Sequence, residues 1–263
     1  MFRTVEMSDP RLVRDGLHMI TVRSEALGQR ADVSVYVPTR LAAPAPLILL
    51  LHGVYGSHWC WALKGGAHLT AARMIAHGDL PPTVVAMPSD GLWGDGSGYV
   101  PHDRQDFERW IVEEVPAAVR LLAPQITETS RICIAGLSMG GFAALRLAAK
   151  FPKRFAAASA LSALTELDQL RHFTTDDWTG LSFPAAEASL AALLPVAGAA
   201  LPPIRFECGL QDAMLGGNRE LDRRLAAAGV AHAYEEHEGG HDWGYWSSRL
   251  PATLAFFALA LSR

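Results

Sequence analysis

The stretch RICIAGLSMGGFAALRLAAK, residues 131–150, passes from a short apolar run through a glycine-flanked serine into an alanine- and leucine-rich segment. The run 131–136 lacks polar alternation, as strands buried on both faces of a parallel sheet do, and residues 138–150 have the composition of a helix. Ser138 therefore stands at a strand-to-helix junction, with Gly136 two residues before it and Gly140 two after it. This is the G-x-S-x-G arrangement of a nucleophile elbow. So sharp a turn forces strained backbone angles on the serine, and side chains at the flanking positions would clash, so the glycines let Oγ rise above the sheet. The helix that starts there points unpaired N–H groups and its positive dipole end at the place where an oxyanion would form, with the Met139 N–H as the obvious donor. The bland alternative is that Ser138 only caps the helix.

Outward from this junction the chain alternates strand and helix. The segments 17–25 and 31–38 alternate apolar and polar residues, which predicts an antiparallel hairpin at a sheet edge. PLILLLH (46–52), PTVVAMP (82–88), PIRFECG (203–209) and AHAYEEH (231–237) read as further short strands. Helical patterns fall at 66–77, 103–123, 138–150, 218–229 and 244–261. The order predicts an α/β fold: a doubly wound, mostly parallel sheet with helices on both faces. Residues 162–202 break the alternation and are expected to form a small cap within a single domain spanning 1–263. Arg249 and Pro251 interrupt the apolar C-terminal segment, which predicts a docked helix rather than a membrane anchor.

Composition narrows the function classes. A chain of 263 residues that is 50% apolar and 19% charged suits one large core. Its 23 Lys and Arg against 27 Asp and Glu give a net charge of -4, with no basic footprint for nucleic acid or anionic lipid, so a small-molecule partner is favoured. The N-terminal residues show no apolar signal core, and a soluble, cytoplasmic location is expected. Cys60, Cys133 and Cys208 are far apart and imply neither a disulfide framework nor a CxxC site.

A serine hydroxyl needs a base. Among ten histidines the strongest candidate is His241 in GGHDWGYW, after the last predicted strand and before the last helix, where loops at the carboxyl ends of parallel strands converge. The imidazole needs a carboxylate to fix its tautomer, and Asp212 follows PIRFECG directly. Asp242 is a rival, but adjacent side chains diverge and it does not readily reach its neighbour's Nδ1. The chain order Ser138, Asp212, His241 is that of α/β-hydrolases. The second oxyanion donor should come from LLHGVYGSHWCW, where Gly53 lets the backbone approach the substrate. Val54 N–H is the first choice and Tyr55 N–H the second.

The segments LHGVYGSHWCW, MPSDG with GSGYV after it, AGLSMGGFAAL, CGLQD and EGGHDWGYW together resemble the esterase D-type branch of the α/β-hydrolases, over about residues 20 to 260. Tributyrin esterases, S-formylglutathione hydrolases, feruloyl esterases and mycolyltransferases are similar. The resemblance implies an eight-stranded sheet, a Ser-Asp-His triad on Ser138, Asp212 and His241, oxyanion donors at Val54 and Met139, no cofactor, and action on carboxylic or thiol esters. MPSDGLWGDGSGYVP stands where S-formylglutathione hydrolases carry a longer Pro/Asp-rich segment, which argues against a glutathione thioester. A small serine carboxylesterase for short acyl groups is the expectation. An acyltransferase using an alcohol acceptor and a noncatalytic hydrolase-fold binding protein are the alternatives.

Three other features point elsewhere. GDGSG (94–98) is followed by Tyr99, Val100 and Pro101 rather than a helix, so it reads as a flexible loop near the pocket and not a phosphate cradle. His232 and His237, five apart on a predicted strand, face opposite sides, so no metal site is expected with His241. Trp61, Trp93 and Trp178 are expected to border the site, favouring short acyl groups or aromatic acids.

Overall fold

Alternate side chains of the run LILLL enter two different cores: Leu47, Leu49 and Leu51 join one apolar cluster, Ile48 and Leu50 the other. A strand turns successive residues to opposite faces, so a sheet covered on both sides demands the unbroken apolar runs seen in the sequence. The computed structural model, which describes residues 2–178 and 180–262, extends that pattern across one sheet. In chain order the strands are β1 (Val5–Met7), β2 (Leu17–Arg23), β3 (Arg30–Tyr36), β4 (Leu47–Leu51), β5 (Val84–Pro88), a separate hairpin of β6 (Pro101–His102) and β7 (Gln105–Asp106), β8 (Ile132–Leu137), β9 (Ala157–Leu161), β10 (Ile204–Gly209) and β11 (Ala233–His237). The nine-stranded sheet has the order β1-β2-β3-β5-β4-β8-β9-β10-β11. Its first three strands are antiparallel to their neighbours and the six from β5 to β11 run parallel. The count exceeds the expected eight, and the short β1 lies at the β2 edge.

The helices are α1 (Cys60–Leu63), α2 (Ala67–His77), α3 (Phe107–Arg109), α4 (Val115–Leu122), α5 (Met139–Lys150), α6 (Leu190–Ala197), α7 (Leu215–Ala227) and α8 (Trp243–Leu261). Ala71 and Met74 of α2 and Leu250, Leu254 and Phe257 of α8 cover one face of the sheet. Val115, Phe142, Leu145, Leu190 and Leu221, from α4 to α7, cover the other. Helix α8 runs on through Pro251 with Leu250, Leu254 and Phe257 turned inward, and among the described residues no helix is long and apolar enough to cross a membrane.

Two of the differences from the sequence reading have a plain physical cause. The single helix expected over 103–123 is broken into α3, a π turn at Trp110–Glu114, and α4. Pro116 has no N–H to return to Val112, and the freed Val112 carbonyl instead accepts from Arg154 Nε and Nη2 at 3.3 and 3.2 Å. Strand β9 carries no strand signal in the sequence, because AASAL has helical rather than strand composition. Small side chains are needed there: a Cβ on Gly141 of α5 would lie 3.1 Å from Ala163 Cβ and 3.3 Å from Ala160 Cβ. Between β9 and β10, where the cap was expected, lie 3-10 turns at Leu167–His172 and Ala185–Ala188, then α6; Thr179 in that segment lies outside the described residues.

A buried ion cluster ties this segment to α5. Arg146, fully buried, donates through Nη1 to Glu108 Oε2 at 2.6 Å and through Nη2 to Glu187, while Lys150 Nζ reaches both glutamates at 3.0 Å. Removing Arg146 leaves two largely buried glutamates sharing the part-exposed ammonium of Lys150 alone, so Arg146→Ala should cost about 3–5 kcal/mol in denaturant unfolding. Lys150→Ala, at a part-exposed position, should cost no more than about 1 kcal/mol.

Candidate active site

Strand β8 is followed directly by Ser138, whose φ of 53° and ψ of -119° lie in a region that side chains rarely adopt. The turn is locked by backbone: Ser138 N–H donates to Leu161 O at 2.9 Å, and Ser138 O accepts from Gly141 and Phe142 at 3.0 and 3.1 Å. The flanking glycines are sterically required. A Cβ on Gly136 would stand 2.2 Å from Gly140 O, and one on Gly140 would stand 2.5 Å from Leu51 O and 2.6 Å from His52 O. Ser138 occupies the N-cap position of α5, yet its side chain makes no capping bond; Oγ lies 3.0 Å from His241 Nε2 instead.

His241 follows β11 and precedes α8. Its Nδ1 lies 3.0 Å from both carboxylate oxygens of Asp212, just beyond the end of β10, so three residues from three strand ends form one hydrogen-bonded line. With Nδ1 turned to a carboxylate, that nitrogen carries the proton and Nε2 is free to accept from Oγ. Phe173 stacks on the imidazole at 6.0 Å and Trp246 meets it edge-on at 5.0 Å. Burial works to raise the Asp212 pKa, but its hydrogen-bond donors, His241 and the Met214 N–H among them, outweigh it and hold the carboxyl below its ordinary value. Asp242 is engaged elsewhere: its carboxylate caps α8, accepting from Tyr245 N at 3.0 Å.

The loop after β4 faces the elbow. A Cβ on Gly53 would lie 2.9 Å from Leu137 Cδ1 and 3.2 Å from Ser138 Cβ, so only glycine lets the loop come this close. Tyr55 N–H donates to Asp95 O at 2.8 Å and is therefore spent. Among the described residues, no protein acceptor takes the N–H of Val54 or of Met139. His52 sets the direction of the Val54 amide. Its Nε2 accepts from Asp90 N at 3.0 Å, which leaves the proton on Nδ1 to bind Gly53 O at 2.7 Å. A trans peptide points N–H opposite to C=O, so a held Gly53 carbonyl turns the Val54 N–H away from His52, and Val54 lines the cavity.

The GDGSG segment is not slack. Asp90 accepts from Leu92 N at 2.9 Å and Ser97 N at 2.6 Å, Asp95 N donates to Asp176 at 2.7 Å, and Gly96 abuts Met139 and Val54. The roles of His52 and Asp90 had no sequence signal, because they meet only through the register of β4 and β5.

Beside Ser138 and His241 opens a cavity of ≈ 430 Å³ lined by Val54, Trp59, Phe173, Trp243 and Trp246 among others. The aromatic wall is therefore not the expected one. Trp61 is buried behind it, donating to Leu51 O at 2.9 Å, and Trp93 and Trp178 pack on His102 away from the cavity. His232 turns to Val230 O and Asp222, and His237 to Glu235 and Arg249. Glu207, Glu235 and His237 are close enough to hold an ion, but the guanidinium groups of Arg205 and Arg249 already fill that position.

Sheet order, strand-end site and flanking helices define an α/β-hydrolase. Residues 24–257 match the family described as "Putative esterase", and the chain belongs to that family of carboxylic ester hydrolases. It is 27% identical to an acetyl esterase of Caldicellulosiruptor saccharolyticus, over 76% of this chain and 78% of that one. An esterase of Mycobacterium tuberculosis is 26% identical over 89% of this chain, which spans 56% of that longer protein. Among solved structures, the substrate-bound fluorophosphonate-binding serine hydrolase F of Staphylococcus aureus superposes with a TM-score of 0.77 at 21% identity, covering 91% of this chain and 97% of the other.

The steric need for glycine at the elbow is separable from glycine content in general. Gly136→Ala should destabilise the fold by about 3 kcal/mol in urea unfolding. Gly216→Ala in α7, where an added Cβ meets nothing within 4 Å, should stabilise it by about 0.5–1 kcal/mol.

Proposed function

We propose that this esterase cleaves small, short-acyl carboxylic or thiol esters through an acyl-enzyme on Ser138. The observation that carries the reading is the line Ser138 Oγ, His241, Asp212, with 3.0 Å at each contact, opening on an aromatic cavity. His241 Nε2 takes the Ser138 proton as Oγ attacks the ester carbonyl, and Asp212 stabilises the imidazolium through Nδ1–H. The Val54 and Met139 amides receive the developing oxyanion, and the N-terminal end of α5 adds its dipole. The proton then passes from His241 to the leaving group, and water attacks the acyl-enzyme by the same route in reverse. The scheme draws on no metal or cofactor. The segment between β9 and β10, which brings Phe173 over His241, acts as the cap of the site. Similarity to an acetyl esterase supports a short acyl group.

Ser138→Ala should fold normally and lose nearly all esterase activity, and a fluorophosphonate probe should label Ser138 in the parent protein. Full activity in the variant, or labelling of another serine, refutes the assignment. Asp212→Asn should lower kcat by on the order of 10⁴, the size of the wrong-tautomer effect in serine proteases, whereas Asp242→Asn should affect helix stability far more than kcat. A panel of chromogenic esters should show best turnover at roughly two to six acyl carbons.

A further inference from the structure

The strand next to β8 ends in the same unusual way. Ser162, directly after β9, has a φ of 50°, is fully buried, and donates its backbone N–H to Glu207 O at 2.8 Å. Among the described residues, two serines on adjacent strand ends thus hold a left-handed backbone that costs on the order of 1–3 kcal/mol at each. For Ser138 the site explains it; Ser162 is not among the residues that line the cavity.

Its hydroxyl is constrained from one side by an unambiguous donor. Trp246 Nε1–H, which can only donate, lies 3.2 Å from Ser162 Oγ. The serine proton must therefore go elsewhere: Leu161 pairs with Glu207 of β10 and Ser162 N–H donates to the Glu207 carbonyl, which places the hydroxyl beside Cys208 and, past the strand end, the Asp212 carboxylate. The Cys208 thiol is a weak acceptor, and burial pushes its pKa up to about 12, whereas a carboxylate accepts strongly. The ring of Trp246 also stands edge-on to His241 at 5.0 Å, so one side chain touches both the imidazole and the serine.

Resting on the triad proposed above, we infer that Ser162 is a positioning residue for the reaction: anchored by Trp246, its hydroxyl donates to the Asp212 carboxylate and fixes that carboxylate against His241. The contacts close a ring from His241 through Asp212, Ser162 and Trp246 back to His241. Asp212 is thereby held from β9 as well as by the Met214 N–H at 2.8 Å within its own loop. The strained backbone at Ser162 is the conformation that brings the hydroxyl to this place.

Strain and hydroxyl are separable by substitution. Glycine accepts the left-handed backbone without strain and lacks the hydroxyl; alanine keeps the strain and lacks the hydroxyl. Ser162→Gly and Ser162→Ala should both lower kcat on a short-acyl chromogenic ester by about 10- to 100-fold, the size of one hydrogen bond to a charged group, with KM little changed. Ser162→Gly should melt higher than Ser162→Ala. A carboxylate that has lost a donor turns more negative charge on the imidazole and favours its protonated form, so the acid limb of the kcat/KM profile should move to higher pH in both variants. The other titratable groups facing Asp212, Cys208 and Tyr245, have pKa values raised by burial and stay neutral across that limb. Trp246→Phe, which keeps a ring beside His241 but removes the anchoring N–H, should shift the limb in the same direction by a smaller amount. Wild-type kcat and an unmoved acid limb in Ser162→Gly overturn the inference, as does a change confined to melting temperature. These outcomes stand apart from failure of the triad itself, which would appear as activity surviving in Ser138→Ala.

Discussion

Everything at this site hangs on how closely the β8–α5 turn approaches the end of β4. The strands pair in parallel with Leu51 opposite Gly136, so their carboxyl ends are level and their following loops emerge side by side. Gly140 sits where any side chain would run into the carbonyls of Leu51 and His52, and Gly53 sits where one would meet Leu137 and Ser138. Two backbones are thus pressed together without intervening side chains, and Ser138 and Val54 line one cavity. Parallel strands converge their loops at one end in general; here glycine sterics turn that convergence into contact.

The strained elbow needs a rigid base. Every residue of α5 except Lys150 is buried, and its small residues lie against the alanines of β9, so the helix cannot tilt to relax the serine. On the opposite side, the Arg146 ion cluster joins the same helix to α3 and to the segment carrying Phe173. Backbone strain at Ser138 and Ser162 persists because packing over-determines the positions of the strands before them and, at Ser138, of the helix after it.

The parts legible in sequence are those governed by local rules. Continuous apolar runs revealed the central strands, and Gly136 with Gly140 marked the elbow, because both signals come from sterics within a few residues. The order of Ser138, Asp212 and His241 along the chain matches the order of the strands they follow, β8, β10 and β11. Features set by distant partners were silent. His52 orients the Val54 peptide only through Asp90, 38 residues away; β9 is a strand of alanines because a helix must fit against it; and the aromatic wall came from Trp59, Trp243 and Trp246 rather than from the tryptophans that looked suitably placed.

The arginine–glutamate cluster over β10 and β11 has a meaning beyond charge balance. Strand β11 is the last in the sheet and leaves one side of its backbone unpaired, the side on which another polypeptide can add a strand. AYEEH places Glu235, Glu236 and His237 along that edge, with Arg249 and Arg219 reaching over to them. At the far end, β1 is only three residues long. A neighbouring chain seeking a template thus meets a charged rail at one end of the sheet and a stub at the other. The fold thereby guards its open ends against edge-to-edge aggregation while leaving the loops at the carboxyl ends of its strands free for substrate.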